Sequence, residues 1–250
     1  MAESLPDQHP GAVGPRLRLE VLGHWELTAD GRRIGLGQRE QRLLGLLTVR
    51  HSGSRSLVAG TLWPDSSEAL ALANLRSAVW KVQHQLPGII DSGRVELALH
   101  PMVRCDVTAL RTMIKTCQSD PAKITVDDLA MLAAPPLLPG WKDEWVLLER
   151  ERIRNRQLAA LQLVARERAA AASFGIAEMA AEAATRLEPL SEDTVELLIT
   201  ARDALGDTAG ALQAYRQWER RLRQDLGLDP TPQMRALVPP VALDPPTTDR

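Results

Sequence analysis

Aromatic side chains are scarce in this chain of 250 residues: they make up 3% of it, with a single Tyr and a single Phe. Leu and Ala supply most of the apolar content instead, which favours packed helices. The two cysteines, Cys105 and Cys117, stand apart, without the CxxC or Cys/His spacing of a metal site. We therefore expect them to be buried side chains in a reducing compartment, with no catalytic or metal-binding role.

Long hydrophobic runs are also missing. No segment approaches the ~18 consecutive apolar residues that a membrane span requires. Residues 1–15 lack the basic region and apolar block of a signal peptide. These absences predict a cytoplasmic protein with no membrane partner, with residues 1–15 as a disordered leader and the Pro-, Asp- and Thr-rich residues 239–250 as a disordered tail.

Signatures of catalysis and of cofactor binding are absent from the sequence as well. The five histidines are scattered, no GxSxG or HExxH motif occurs, and the carboxylates are not clustered. No GxxxxGK[ST] loop is present to bind a nucleotide. The sequence therefore predicts a protein that is not an enzyme and that holds no cofactor and no metal.

The charge is nearly balanced, at a formal net value of −2, but it is unevenly distributed. Residues 16–106 contain 12 Lys or Arg against 9 Asp or Glu, whereas residues 107–250 contain 18 against 21. The first part is thus mildly basic. This asymmetry falls short of the basic footprint that is typical of a tight DNA-binding protein.

The pattern of apolar residues in the first part of the chain predicts short strands and then three helices. Apolar and polar side chains alternate in two segments and again after the tight-turn dipeptide Asp30-Gly31, which predicts a small antiparallel sheet. Helical periodicity and then a hairpin pattern follow. In order, the predicted strands are 16–22, 25–28 and 32–36, the helices 38–50, 57–63 and 66–86, and the hairpin 88–99, with 51–54 as a break. This order predicts a winged helix-turn-helix with an additional amino-terminal sheet, over residues 16–106.

From residue 107 onward the strand signals disappear. The predicted helices are 107–117, 125–134, 143–173, 175–187, 192–205 and 208–226, bounded by Gly or Pro signals. Corresponding ends recur at Phe174-Gly175 and Leu205-Gly206, which predicts paired antiparallel helices of the tetratricopeptide kind. The predicted fold is therefore mixed but mainly α, with an all-α bundle over residues 107–238.

The predicted helix 66–86 has two distinct faces. Its apolar positions recur at steps of three and four and are Leu72, Leu75, Val79, Val82 and Leu86. The opposite face is polar, has no carboxylate, and contains Asn74, Ser77, Trp80, Lys81 and His84. Such a helix can be held by its apolar edge and placed in the major groove of DNA. An ordinary amphipathic surface helix is the alternative interpretation of the same pattern.

Individual residues of this region allow more than one role. Arg76, at the edge of the polar face, can contact phosphate or form a surface ion pair with Glu68 or Glu20. Trp80 can pack under the wing, which we favour, or contact a thymine methyl or a partner protein. His84 is interpreted as a surface residue rather than a pH switch. Arg94, in the predicted hairpin, is a candidate for DNA contact from the wing.

Four motifs occur in the order of a known family. They are Thr61-Leu-Trp-Pro-Asp65, Ala73-Asn-Leu-Arg-Ser-Ala78, Leu138-Pro-Gly-Trp141 with Trp145 and Glu149-Arg-Glu-Arg152, and Leu226-Gly-Leu-Asp-Pro-Thr-Pro232. In these motifs the chain resembles the Streptomyces antibiotic regulatory protein (SARP) family of actinobacterial transcription activators, over residues 16–238. The resemblance implies a winged-helix DNA-binding domain followed by an all-helical bacterial transcriptional activation domain.

The resemblance also implies a function. Such proteins bind direct repeats in promoter DNA, side by side as a dimer, and recruit RNA polymerase holoenzyme, often to genes of a biosynthetic cluster for an antibiotic; this places them with the nucleoid. One departure is that Lys81 is the only permanent positive charge in the second half of helix 66–86, where the family often has several arginines. DNA binding is then weaker, or depends on Arg94, a second protomer or polymerase. A protein-binding adaptor with a degenerate DNA-binding domain is the alternative.

Overall fold

The computed structural model describes residues 16–50 and 52–238, so the predicted leader 1–15 and tail 239–250 lie outside the described residues. The chain forms two compact units, one ending at Asp106 and the other starting at Val107. In the described part of the chain, no helix combines the length and the apolarity needed to span a membrane.

The first unit opens with a four-stranded sheet. Its strands are β1 (Leu17–Glu20), β2 (Glu26–Ala29), β3 (Arg32–Arg33) and β7 (Arg104–Cys105), in the order β3-β2-β1-β7. The three predicted strands are present and antiparallel, but β7, which pairs parallel to β1, was not predicted. Asp106 follows β7, and its carboxylate accepts hydrogen bonds from the backbone N–H of Val21 at 2.9 Å and of Leu22 at 2.8 Å.

Three helices pack on this framework, close to their predicted positions. They are α1 (Gln38–Arg50), α2 (Arg55–Leu62) and α3 (Glu68–Gln85). Ser54 and Ser67 are the N-caps of α2 and α3, and their hydroxyls accept from the backbone N–H of Leu57 and Leu70. The cap at Ser67 explains why α3 begins two residues after the predicted start.

A second sheet forms the wing. Its strands are β4 (Ser52–Ser54), β5 (Ile90–Ser92) and β6 (Glu96–Leu99), in the order β4-β6-β5. The predicted hairpin is present as β5 and β6, which pair antiparallel. The prediction that residues 51–54 only break the chain was wrong, since Ser52–Ser54 pairs with β6. A Ser-Gly-Ser strand has no apolar alternation, so its pairing with β6 is what defines it.

The core of the first unit is built around α1. Leu43, Leu44, Leu46 and Leu47 are fully buried there, because one side of the helix meets α2 and α3 and the other meets the wing strands. Cys105 is part of this core, as predicted for a small buried side chain. Burial raises the pKa of its thiol to about 11, because the thiolate would lose its hydration.

The second unit is a succession of helices. They are α4 (Asp106–Ser119), α5 (Val126–Leu132), α6 (Glu144–Ala170), α7 (Phe174–Leu187), α8 (Glu192–Ala204), α9 (Thr208–Leu226) and the short α10 (Pro232–Ala236). Helices α6 to α9 each pack on the next one along the chain, which is the arrangement that a helical repeat requires. Trp218 and Tyr215 of α9 lie in the core with Met234 and Val238.

Arg150 organises the loop before α6. Its guanidinium donates to the carbonyls of Leu137 at 2.8 Å, Leu138 at 2.6 Å and Trp141 at 3.3 Å. Arg152, two residues further along α6, instead forms an ion pair with Glu149 at 2.6 Å.

Candidate nucleic-acid interface

Helix α3 is anchored by the side that its periodicity predicted. Leu75, Val79, Val82 and the C-cap residue Leu86 are buried, and Leu72 is half-buried. Ala71 and Ala78 add small buried side chains on the same side. The remaining surface of the helix is therefore free to face a ligand while the buried edge fixes its position.

The predicted contact residues lie on that outer surface. Arg76, Ser77, Trp80, Lys81 and His84 are exposed, and Asn74 is half-buried. Arg94 is also exposed, and it lies in the turn that joins β5 to β6 at the tip of the wing. The structure thus brings the residues of α3 onto one face, with Arg94 on a separate element; their contact with DNA stays a prediction.

Trp80 does not pack under the wing, so the interpretation that we favoured from the sequence was wrong. Its side chain is 65% exposed. The indole stacks on the imidazole of His84 one helical turn later, with ring centroids 5.1 Å apart and an interplanar angle of 9°. The pair forms a flat exposed ring surface on the outer face of α3, suited to an apolar contact with a base or with another protein.

A carboxylate lies beside Lys81, although the sequence of α3 predicted a face without one. Glu40, in the first turn of α1, is 7% exposed, and its Oε1 lies 3.7 Å from Nζ of Lys81. The carboxylate comes from a residue distant in the sequence, which the periodicity of α3 cannot reveal. Glu40, Lys81, Trp80 and His84 line one shallow cleft, together with Leu36, Gly37 and Gln85.

Arg76 and Arg94 are the two candidate cations of this surface whose guanidinium groups remain available to contact phosphate. Neither forms an ion pair or a hydrogen bond with the described residues. The predicted alternative for Arg76, a pair with Glu68 or Glu20, is wrong: Glu20 pairs with Arg18 at 2.7 Å. A guanidinium without a protein partner can approach a phosphate without first breaking an ion pair.

Sequence reasoning missed the role of Arg55 at the wing. Its guanidinium donates to Oγ of Ser92 at 2.7 Å and to the carbonyl of Gly93 at 3.3 Å, and its backbone N–H donates to the carbonyl of Val95 at 3.0 Å. These bonds hold the turn that carries Arg94. Nothing in the local pattern signals them, because they join residues 37 to 40 positions apart.

Metal binding has no support in the described ranges. Residues 16–50 and 52–238 contain no group of three or more His, Cys, Asp or Glu side chains placed to hold an ion.

Cys117, the second cysteine, is buried, and its thiol lies 3.3 Å from the carbonyl of Ala160. Burial raises the pKa of this thiol too.

Comparison with known proteins gives two sequence matches. The family model of the bacterial transcriptional activator domain matches residues 128–241. Regulatory protein AfsR of Streptomyces coelicolor is 27% identical over 236 residues, which is 88% of this chain. Both matches support the resemblance to the SARP family that the four sequence motifs predicted. The chain covers only 24% of the length of AfsR.

The fold has a solved relative as well. The structure of Mycobacterium tuberculosis EmbR in complex with a low-affinity phosphopeptide superposes on this chain with a TM-score of 0.67. The match covers 89% of this chain and 64% of that one, at 22% sequence identity. The predicted fold class, a small amino-terminal sheet and winged helix followed by a helical bundle, is thereby confirmed.

Proposed function

We propose that this protein is a transcription activator of the SARP family, that it binds direct repeats in double-stranded promoter DNA through α3 and the wing, and that its second unit recruits RNA polymerase holoenzyme. The observation that carries the proposal is the division of α3 into a buried edge and an exposed polar face. A helix held in this way can present side chains to base edges without unfolding its own support.

The roles of the individual residues follow from their chemistry. Asn74 is the candidate for a bidentate contact with adenine, and Ser77 for a less selective contact with a base edge. Arg76 and Arg94 suit phosphate oxygens, since both are exposed and neither is paired with a described residue. Trp80 and His84 supply the apolar ring surface that a thymine methyl would contact.

A single first unit should bind weakly, because two unpaired arginines provide little counterion release. Two protomers placed side by side on a direct repeat would multiply this modest affinity. Recruitment of polymerase by the second unit then converts occupancy into transcription, for instance of a biosynthetic gene cluster for an antibiotic. In this proposal the protein is a non-enzymatic regulator that acts in the cytoplasm, at the nucleoid.

A second candidate function is that of an adaptor, in which the helical repeat binds a protein and the winged helix has lost DNA binding. The contact between Lys81 and Glu40 favours it, because it offsets the one permanent positive charge in the second half of α3. The two functions differ in salt dependence. Binding of duplex DNA by an activator falls steeply as salt rises, whereas an adaptor shows no binding to duplex DNA at all.

The deciding experiment combines footprinting with run-off transcription. Genome-wide footprinting of the intact protein identifies a promoter, and purified polymerase then transcribes it with the intact protein or with a fragment of residues 16–106. We expect the intact protein to activate, and the fragment to retain some DNA affinity without activating. Full activation by the fragment would show that the second unit is not the effector. Absence of any footprint would favour the adaptor.

A further inference from the structure

A groove in the second unit is separate from the candidate DNA surface. It lies among α7, α8 and α9 and has a volume of about 370 Å³. Its base is apolar and consists of the buried side chains Val195, Leu198 and Trp218. The indole N–H of Trp218 is already engaged by the carbonyl of Leu190 at 3.3 Å, so this base presents only apolar surface.

Polar donors form one wall of the groove. Gln213, Gln217 and Arg221 follow one another at steps of four along α9, so they share one side of the helix. All three are exposed, and none has a hydrogen-bond partner among the described residues. A side-chain amide both donates and accepts, so such a row can pair with the backbone of an extended chain.

The groove is positively charged within an acidic part of the chain. Its lining contains Arg186, Arg202 and Arg221 but only one carboxylate, Glu182, which lies 3.2 Å from Arg186. Residues 107–250 as a whole hold 21 acidic against 18 basic side chains. Arginines are therefore concentrated here, against the average of the sequence.

One of these arginines is fixed in place. Arg202 donates to Oε1 of Glu178 at 2.9 Å and to the carbonyl of Gly210 at 3.1 Å, which ties α8 to both of its neighbours. Arg221 is not held in this way. A fixed and an available guanidinium at the two sides of an apolar base suit carboxylates on an extended segment whose apolar side chains enter between them.

We infer that this groove binds an extended acidic segment of a partner protein. Carboxylates of the segment pair with Arg221 and Arg202, its backbone pairs with Gln213 and Gln217, and an apolar side chain rests on Trp218. The inference concerns the second unit alone. It does not depend on DNA binding or on polymerase recruitment, because the peptide can be tested without either.

The test uses the intact protein and fluorescence polarisation at low salt. The probe is a fluorescein-labelled octapeptide of alternating Glu and Leu, compared with the same peptide bearing Lys in place of Glu. We expect saturable binding of the acidic peptide and at least tenfold weaker binding of the basic one. Equal binding of the two peptides, or no binding of the acidic one, would overturn the inference.

Matched variants locate the site. Arg221→Glu should weaken binding of the acidic peptide at least tenfold, whereas Arg220→Glu, with the same charge change at the adjacent exposed residue outside the groove, should change it less than twofold. Gln217→Ala, which leaves the charge unchanged, should weaken it by about threefold. Equal losses in the two charge variants would mean that net charge alone attracts the peptide. Displacement of the peptide by a single-stranded DNA 12-mer with the same sensitivity to Arg221→Glu would reassign the groove to nucleic acid.

Discussion

The ammonium group of Lys81 lies 3.7 Å from the carboxylate of Glu40, which is almost completely buried in the first turn of α1. The lysine is the only permanent positive charge in the second half of α3. A carboxylate at this distance offsets the attraction of the ammonium group for phosphate. In the proposed complex, electrostatic attraction of DNA is therefore left mainly to Arg76 and Arg94.

Replacing Glu40 by Gln should increase the affinity for duplex DNA. The change frees Lys81 to contact phosphate, so the plot of log affinity against log salt should become steeper by about 0.9. Conversely, Arg94→Ala should cost more affinity than Lys81→Ala. Fluorescence anisotropy at several salt concentrations measures both. Glu144→Gln, an exposed acid of the second unit, is the control, and an unchanged slope in Glu40→Gln would contradict the assigned role of the ion pair.

Replacing Trp80 by Ala should separate specificity from stability. The side chain is 65% exposed, so its loss should cost less than about 1 kcal/mol of unfolding free energy. Leu75→Ala, at a position 1% exposed on the opposite side of the same helix, should cost roughly 2–5 kcal/mol.

Selection from a library of randomised DNA sites gives the second readout for Trp80→Ala. Because indole carries no charge, the salt dependence should stay as in the wild type while the preference at one or two base positions relaxes. An unchanged base preference together with a large loss of stability would show that Trp80 is a packing residue after all.

A helix or strand of this fold could be predicted only where its own residues repeat an apolar pattern. Helix α3 was predicted because four apolar positions repeat within it and a fifth follows at its C-cap. Strand β4 was missed since Ser52–Ser54 has no apolar pattern, and β7 because two residues, Arg104–Cys105, are too short for one. Both strands exist through hydrogen bonds to partners distant in the sequence.

The candidate site shows the same limit. The residues facing outward from α3 follow from the helical period, and the structure exposes Ser77, Lys81 and His84 as expected. Neither the carboxylate of Glu40 beside Lys81 nor the bonds from Arg55 to the wing could be predicted. Such contacts are decided by how elements pack, and a single sequence carries no local signal for them.

Removing the guanidinium of Arg150 should destabilise the second unit. Arg150→Ala leaves three carbonyls of the preceding loop without their donor, at an expected cost of about 3 kcal/mol. Arg152→Ala, which removes an exposed ion pair with Glu149, should cost less than about 1 kcal/mol. Urea unfolding followed by circular dichroism measures both. Similar losses in the two variants would mean that the loop does not depend on Arg150.

The cysteines should react slowly in the folded protein. Because burial raises the pKa of Cys105 to about 11, its thiol stays protonated at pH 8, and the thiolate is the reactive form. The same shift means that stability is lost as the pH rises from about 9 towards 11, since only the unfolded state then releases the proton readily. Iodoacetamide labelling at pH 8 should be slow without urea and fast with it. Rapid native labelling of Cys105 would contradict its burial.

The parallel pairing of β1 with β7 brings the first and the last strand of the first unit side by side. Arg18 and Leu19, near its start, are in register with Arg104 and Cys105, at its end. Adjacent strands lie about 4.8 Å apart, so a linker of a few residues could join the two ends. The polypeptide could then be opened elsewhere, for example at the exposed Asp30-Gly31 turn, to give a circular permutant with the same strand order. A unit whose two ends meet in this way can be inserted into, or exchanged between, longer chains while its own hydrogen-bonded framework stays complete.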